Sequence, residues 1–295
     1  MEAEIDDTYA EAFEGLYSEI LVTAKNSKWL MASVNSAIGF ATSIVGCTCE
    51  AGIDRIIEPE DTPDGRIGAA VQFWVASFCN DPVRALEHEL ICRIGQCILT
   101  APTTAVFNFT DSEKGFEIGR KLGFFGDGFQ NEEERFNRII VNIPRMMGEF
   151  LIEKKINYSK GVMGGNLRFF ADSEDSALKS AESAVDAIND INGVVTTFPG
   201  GVCASGSKVG SRYKFLKAST NCKLCPTLKP VIDDSMVPDG VESISEITVN
   251  GISESAVRKA MHSGIEASKG TKGLIKISAG NYGGKLGKYK IYLKR

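Results

Sequence analysis

Histidine is scarce in this sequence: only His88 and His262 occur among 295 residues. Ser-His-Asp triads and histidine-ligated metal sites both need imidazole at their centre, so neither is a leading expectation. A G-x-S-x-G nucleophile elbow is also lacking. No apolar run approaches the roughly 18 residues of a membrane helix. The opening MEAEIDDTYAEAF is acidic where a secretory leader is basic and then apolar. The expectation is a cytoplasmic protein with no membrane partner. Positive charge is not in excess, with 33 Lys and Arg against 38 Asp and Glu and a net charge of -5, which argues against a nucleic-acid partner.

Cysteine is present, with eight residues, and in a cytosolic chain reduced thiols are expected. Cys47-x-Cys49 and Cys222-x-x-Cys225 could form a four-thiolate site only if the fold joined them. No second C-x-x-C completes a local ribbon, and Cys47 lies in the apolar run SIVGCTC, where cysteine acts as a small hydrophobe. The expectation is therefore no bound metal. Charged residues at 24% and apolar ones at 43% are ordinary for a globular protein, and the length favours about two domains.

Hydrophobic patterning predicts a strand over 18–24, a helix over 29–38, extended chain over the β-branched and small residues of 39–49, and a strand over 68–78. A helix follows over 84–99, with Leu86, Leu90, Ile94 and Cys97 on one stripe, and then a strand over 103–109. That order, β-α-β-β-α-β, is the split β-α-β, ferredoxin-like arrangement. The pattern loosens over 110–145, and the charged run 131–138 reads as a solvated face. The second half repeats the grammar. Strands are predicted over 149–156 and 165–171, then a helix capped by Ser173, a short strand over 194–197, and a strand over 244–249. A turn at Asn250-Gly251, a helix from Ser253, and strands over 274–277 and 289–293 complete it. The expected class is α+β with two ferredoxin-like lobes, 1–146 and 147–295.

Two glycine-rich stretches stand out, 198–210 (FPGGVCASGSKVG) and 278–287 (SAGNYGGKLG), each preceded by apolar, β-prone residues. Such loops bring backbone close to ligands, because glycine permits positive φ and carries no Cβ. Gly201 and Gly206 have Walker spacing, but Ser207 precedes Lys208, the reverse of the phosphate-loop order. A binding loop for another polar ligand is expected, with Ser205, Ser207, Lys208, Gly200 and Gly201 as candidate contacts. Asn281 and, in FFGDG, Phe125 and Asp127 join them. In ISEITV, alternation places Glu246 on one face with Ile244 and Thr248. A carboxyl on a low-dielectric face has a raised pKa suited to acid-base work, while the alternative is a strand-edge charge meeting solvent or a lysine.

Several blocks resemble the formylmethanofuran–tetrahydromethanopterin formyltransferase family. They are TPDG at 62–65, RIGQCILTAP at 93–102, KLGFFGD at 121–127, the stretch from Phe198 through Lys208, ASTN at 218–221, EITVNG at 246–251 and KISAGNYGGKLG at 276–287. They run in collinear order over nearly the whole chain. The resemblance implies formyl transfer from N-formylmethanofuran to N5 of tetrahydromethanopterin, reversibly, in one-carbon metabolism of archaea or methylotrophs. It implies two ferredoxin-like lobes, a homotetramer, no bound metal or prosthetic group, and two coenzymes as co-substrates. It places the family's catalytic carboxylate on Glu246. The chain departs from the family's pattern in CTCEAG around Cys47 and in GGNLRFF at 164–170, which brings in Leu167 and Arg168. Two alternatives accompany this assignment: a subunit of a formyltransferase/hydrolase complex, and a non-catalytic coenzyme-binding paralogue.

Overall fold

The computed structural model describes residues 2–294. It is a mixed α+β chain whose contacts group into two units: Gly15–Gly161, and the residues before Gly15 together with those from Val162 onward. β1 (Glu4–Ile5) and β2 (Tyr9–Thr23) open the chain, β2 changing unit after Glu14.

In the Gly15–Gly161 unit, β2 leads to α1 (Ser27–Ile38), β3 (Glu50–Ile57), β4 (Gly68–Ala76), α2 (Pro82–Arg93) and β5 (Ala105–Asn108). The strands lie in the order β5, β2, β4, β3, each pair antiparallel. Asn26 caps α1 by accepting from Trp29 N, and Asp81 caps α2 by accepting from Arg84 N. These helices press Leu30, Val34, Leu86 and Leu90 onto Ile20, Val22, Val71 and Phe73. Each such side chain contributes about 1.5–3 kcal/mol of burial. The stripe of α2 carries on through a π-helical turn at Ile94–Ile98. β6 (Gly115–Phe116) and α3 (Ile118–Gly123) precede a meander of β7 (Asn131–Arg135), β8 (Arg138–Arg145) and β9 (Gly148–Glu153). β9 joins β5 in parallel, and β10 (Ile156–Asn157) pairs with β6. The charged run expected to face solvent is the outer strand β7, whose mostly exposed Glu and Arg side chains discourage further pairing.

The other unit contains β11 (Ser159–Ala171) from Val162 onward, α4 (Glu174–Asn189), β12 (Val194–Thr196), the short pair β13 (Lys208–Val209) and β14 (Ala218–Ser219), β15 (Ser243–Gly251), α5 (Glu254–Ser268), β16 (Leu274–Ser278) and β17 (Tyr289–Tyr292). Its main strands lie in the order β16, β11, β15, β12, all antiparallel. β1 pairs with β16, and β17 with the first residues of β2. Ser173 and Ser253 cap α4 and α5 as expected, accepting from Ser176 N and Ala256 N. The two helices pack Ala181, Ala184, Val257 and Met261 against Leu167, Phe169, Ile247 and Val249.

Four local expectations need correction. β2 starts at Tyr9, not at residue 18, and Glu11 within its acidic first half is buried and satisfied by backbone N–H groups of the distant 282–287 loop. Residues 39–49 are turns held by bonds such as Cys47 N to Ser43 O and Ile44 N to the Glu50 carboxyl, and the strand comes after them as β3. Asn250-Gly251 is not a turn but the end of β15: Asn250 is fully buried and its Oδ1 accepts from Gly164 N. The region from 110 to 145 is ordered by α3 and the β7–β8 hairpin. A cut at 146/147 falls at the β8–β9 turn, where Arg145 pairs with Gly148, while the grouping by contacts changes after Gly161.

Candidate active site

β15 presents two different faces. Ser245, Ile247 and Val249 turn toward the helices, with Ser245 Oγ donating to Ala177 O of α4 at 2.8 Å. Ile244, Glu246 and Thr248 take the opposite face, by strand alternation. The long connection between β12 and β15 folds over that face, and its Val237, Val241 and Leu224 pack with Phe170, Ile244 and Ile275.

The first glycine stretch is built into the strand edge. β12 pairs with β15 from Val194 to Thr196, and the chain then swings out through a 3-10 turn at Pro199–Gly201. It returns at Cys203, whose N–H donates to Glu246 O at 2.7 Å and whose C=O accepts from Glu246 N at 3.0 Å. An excursion of this kind re-aims side chains beside a strand, a common device at functional sites. Gly201 makes it possible: its φ is +77°, and a Cβ there would lie 2.8 Å from Val185 of α4. Past Cys203, residues 204–206 border a cleft of about 150 Å³ with Arg168, Cys203, Asn221, Leu224, Cys225, Pro226, Thr227, Ile244 and Glu246.

Glu246 stands directly across the ladder from Arg168 of β11, and Arg168 Nε lies 3.6 Å from Glu246 Oε1. Their side chains are 17% and 13% exposed. Burial pushes the Glu246 carboxyl above its ordinary range, and the guanidinium opposes that shift without cancelling it. The cleft is thus bordered by a buried carboxyl whose pKa is raised and by Ser205, whose Oγ sits 3.4 Å from Cys203 Sγ.

The second glycine stretch does something else. Glu11 of β2 is buried, and its carboxylate accepts from the backbone N–H groups of Tyr282 (2.7 Å), Gly284 (2.9 Å), Gly287 (2.9 Å) and Leu286. The loop wraps an internal anion. Burial alone would raise the Glu11 pKa, but these donors outweigh it and hold the carboxyl below the usual range. Asn281 Nδ2 donates to Thr8 Oγ1 at 2.9 Å within the same arrangement.

Of the residues singled out in the sequence, Glu246 and Ser205 meet at the cleft. Gly200 has φ +62° beside open space, and Gly201 serves packing against α4. Ser207 is exposed, and Lys208 Nζ donates to Ser219 Oγ at 3.1 Å across the β13–β14 pair. Asn281 does not border the cleft. Phe125 and Asp127 belong to the Gly15–Gly161 unit, where Phe125 is exposed and Asp127 ends a 3-10 turn at φ +52°. The sequence pattern did not single out Arg168 as a partner of Glu246, nor Cys225 and Thr227 as cleft residues. A usable signal for Arg168 was its charge in the otherwise apolar run LRFF. The Cys47/Cys49 and Cys222/Cys225 pairs belong to different units, and among the described residues no three His, Cys, Asp or Glu side chains group as metal ligands. Among them, too, no helix is long and apolar enough to cross a membrane.

Comparison with known proteins adds a second line of observation. Residues 1–145 match the family model described as formylmethanofuran-tetrahydromethanopterin formyltransferase, and residues 148–295 the model of its proximal lobe. The formylmethanofuran–tetrahydromethanopterin formyltransferase of Methanothermobacter thermautotrophicus is 52% identical, covering 98% of this chain and 97% of its own. That of Methanosarcina mazei is 49% identical with the same coverage. The structure of the Methanosarcina barkeri enzyme superposes with a TM-score of 0.93 at 47% identity, covering 99% of this chain and 97% of that one. The formyltransferase/hydrolase complex of Methylorubrum extorquens with methylofuran contains a chain with a TM-score of 0.91 at 38% identity, covering 98% and 95%.

Proposed function

Because the chain belongs to the formylmethanofuran–tetrahydromethanopterin formyltransferase family, we propose that its Glu246 cleft is where the formyl group changes nitrogen. The protein is a formyltransferase that uses methanofuran and tetrahydromethanopterin as its two coenzyme substrates. Transfer between two nitrogens needs alignment, proton management and relief of charge on a tetrahedral oxyanion. N5 of the pterin attacks the formyl carbon, forming the new C–N bond and an oxyanion. Ser205 Oγ and the backbone N–H groups of 204–206 offer donors to that oxygen. Glu246 gives its proton to the methanofuran nitrogen as the old C–N bond breaks, and the proton released from N5 restores the carboxyl. The observation that carries this assignment is the buried Glu246 opening onto a cleft whose edge loop is hydrogen-bonded to the Glu246 backbone, with burial raising the carboxyl pKa.

Glu246→Gln keeps the shape and removes the proton, so formyl transfer to the pterin, followed by its absorbance, is expected to fall by roughly 10²-fold or more. Turnover at the unaltered rate would remove Glu246 from the mechanism.

Gly200, Gly201, Ser207, Lys208 and Asn281 are assigned to coenzyme binding by residue chemistry and resemblance, Lys208 to an acidic coenzyme tail. Phe125 and Asp127 are assigned likewise, exposed Phe125 offering an aromatic face to a pterin ring. The two units are read as ferredoxin-like lobes, supported by their shared antiparallel order, in which the first and third strands of each β-α-β-β-α-β run lie centrally. The family resemblance supports a cytoplasmic homotetramer, for which light scattering should return about four times 31.9 kDa. A second assignment, a subunit beside a formylmethanofuran hydrolase, is favoured by the likeness to the Methylorubrum extorquens complex. It predicts further polypeptides in the native assembly.

A further inference from the structure

We propose that Arg168 is the positioning residue of Glu246, and that Gly280 is the seat that aims it. This rests on the assignment of Glu246 above. Arg168 and Glu246 are cross-strand partners on the face of β11 and β15 turned away from the helices, 3.6 Å apart. On its other side, Arg168 pairs with Ser278 at the end of β16, and the chain beyond that strand passes directly over the guanidinium. At Gly280 a side chain would displace the guanidinium: a Cβ would lie 2.6 Å from Arg168 Nη2 and 3.0 Å from Cζ. Gly280 is itself fixed, its N–H donating to Asn166 Oδ1 at 2.6 Å and its C=O accepting from Glu11 N at 3.2 Å. Immediately after it, the loop closes on the Glu11 carboxylate.

The guanidinium therefore lies between the Gly280 backbone and the Glu246 carboxyl. A planar, permanently charged group held this way fixes the direction of the Glu246 oxygens, where a lysine would supply only a point charge. It also limits how far burial can raise the carboxyl pKa, since a buried carboxylate without a partner is strongly disfavoured. The other titratable groups bordering the cleft are Cys203 on the edge loop and Cys225 on the covering segment. From β16, Lys276 lies over Phe170 and pairs with Asp6. The second glycine loop thus acts on the reacting region through Arg168.

The test is the pH dependence of formyl transfer in Arg168→Met, Arg168→Lys, Gly280→Ala and the Arg168→Met/Gly280→Ala double variant. A proton-donating Glu246 makes activity fall as pH rises through its pKa. With the guanidinium gone, that falling limb should move to higher pH, and kcat near neutrality should drop roughly 10- to 100-fold with KM little changed. Arg168→Lys should leave the limb near its original position while kcat stays reduced. Gly280→Ala should reproduce part of the Arg168→Met loss, and the double variant should be no worse than Arg168→Met alone. An unmoved limb in Arg168→Met overturns the proposal, as do losses that multiply in the double variant. A second readout needs no turnover: infrared titration of the Glu246 carboxyl band, assigned by its disappearance in Glu246→Gln. A band midpoint that rises in Arg168→Met supports the coupling even if Glu246→Gln still turns over, in which case only the acid role falls; an unchanged midpoint defeats it. Should Arg168→Met fail to fold, Gly280→Ala and Arg168→Lys carry the same comparison.

Discussion

Glu11 and Glu246 are carboxyl groups on strands of one unit, and their surroundings push them in opposite directions. Backbone donors hold Glu11 in its charged form, whereas burial favours the neutral form of Glu246. A carboxyl with a lowered pKa contributes stability above the ordinary carboxylate range and loses it as pH falls through the folded value. Acid unfolding of the wild type should therefore include loss of order over 280–287. Glu11→Gln should lower stability at pH 7 by about 1–3 kcal/mol, since some of the loop N–H groups lose their acceptor. Thermal melts at pH 7 and hydrogen exchange of residues 280–287 check this. Glu19 behaves differently: burial and the neighbouring Asp54 push its pKa up to about 8, against a hydrogen bond from Gln72. A raised carboxyl favours folding below the unfolded value and loses that contribution as pH rises through the folded one. Melting of the Gly15–Gly161 unit should fall as pH rises from the carboxylate range to about 8. Glu19→Gln should flatten that slope.

At the scale of the element, the excursion between β12 and β15 decides where the cleft is. Gly201→Ala would force a Cβ against α4 at a left-handed backbone position and should cost roughly 1–3 kcal/mol. It should also expose the Cys203 and Glu246 amides to faster hydrogen exchange, and unchanged exchange would mean that the turn does not hold this edge. The four longer helices, α1, α2, α4 and α5, were legible because their signals are local: Ser173 and Ser253 at the caps of two, and apolar side chains repeating every three or four residues. β2 was legible only from its apolar second half, since Glu11 is satisfied by a loop more than two hundred residues away in sequence, which no local pattern announces. Asn250-Gly251 looked like a turn for the same reason, its amide being committed to Gly164 on another strand. In β3, a bulge between Ile53 and Arg55 accommodates Asp54, again a pairing invisible to periodicity.

For the whole molecule, the β-α-β-β-α-β order of each half was readable from residue pattern, α3 and the β7–β8 hairpin were not, and the face carrying Glu246 followed from simple alternation. Which residues share the cleft did not follow. Ser205 and Glu246 are brought together by the Cys203 bridge, while Arg168, Cys225 and Thr227 reach the same space from β11 and from the covering segment. The two glycine stretches looked alike in composition, yet one borders the cleft and the other encloses a carboxylate of its own chain.

That enclosure has a consequence for how the protein is made. The unit bearing Glu246 joins Glu11 to the 282–287 loop and Tyr9 of β2 to Tyr292 of β17. A ribosome delivers those partners more than two hundred and fifty residues apart, whereas every residue of the Gly15–Gly161 unit emerges before β17. That unit can become ordered while translation continues. The Glu246 unit must wait until residues 280–292 have emerged, so a chain that stops short of them carries Glu246 without the clasp that completes its surroundings.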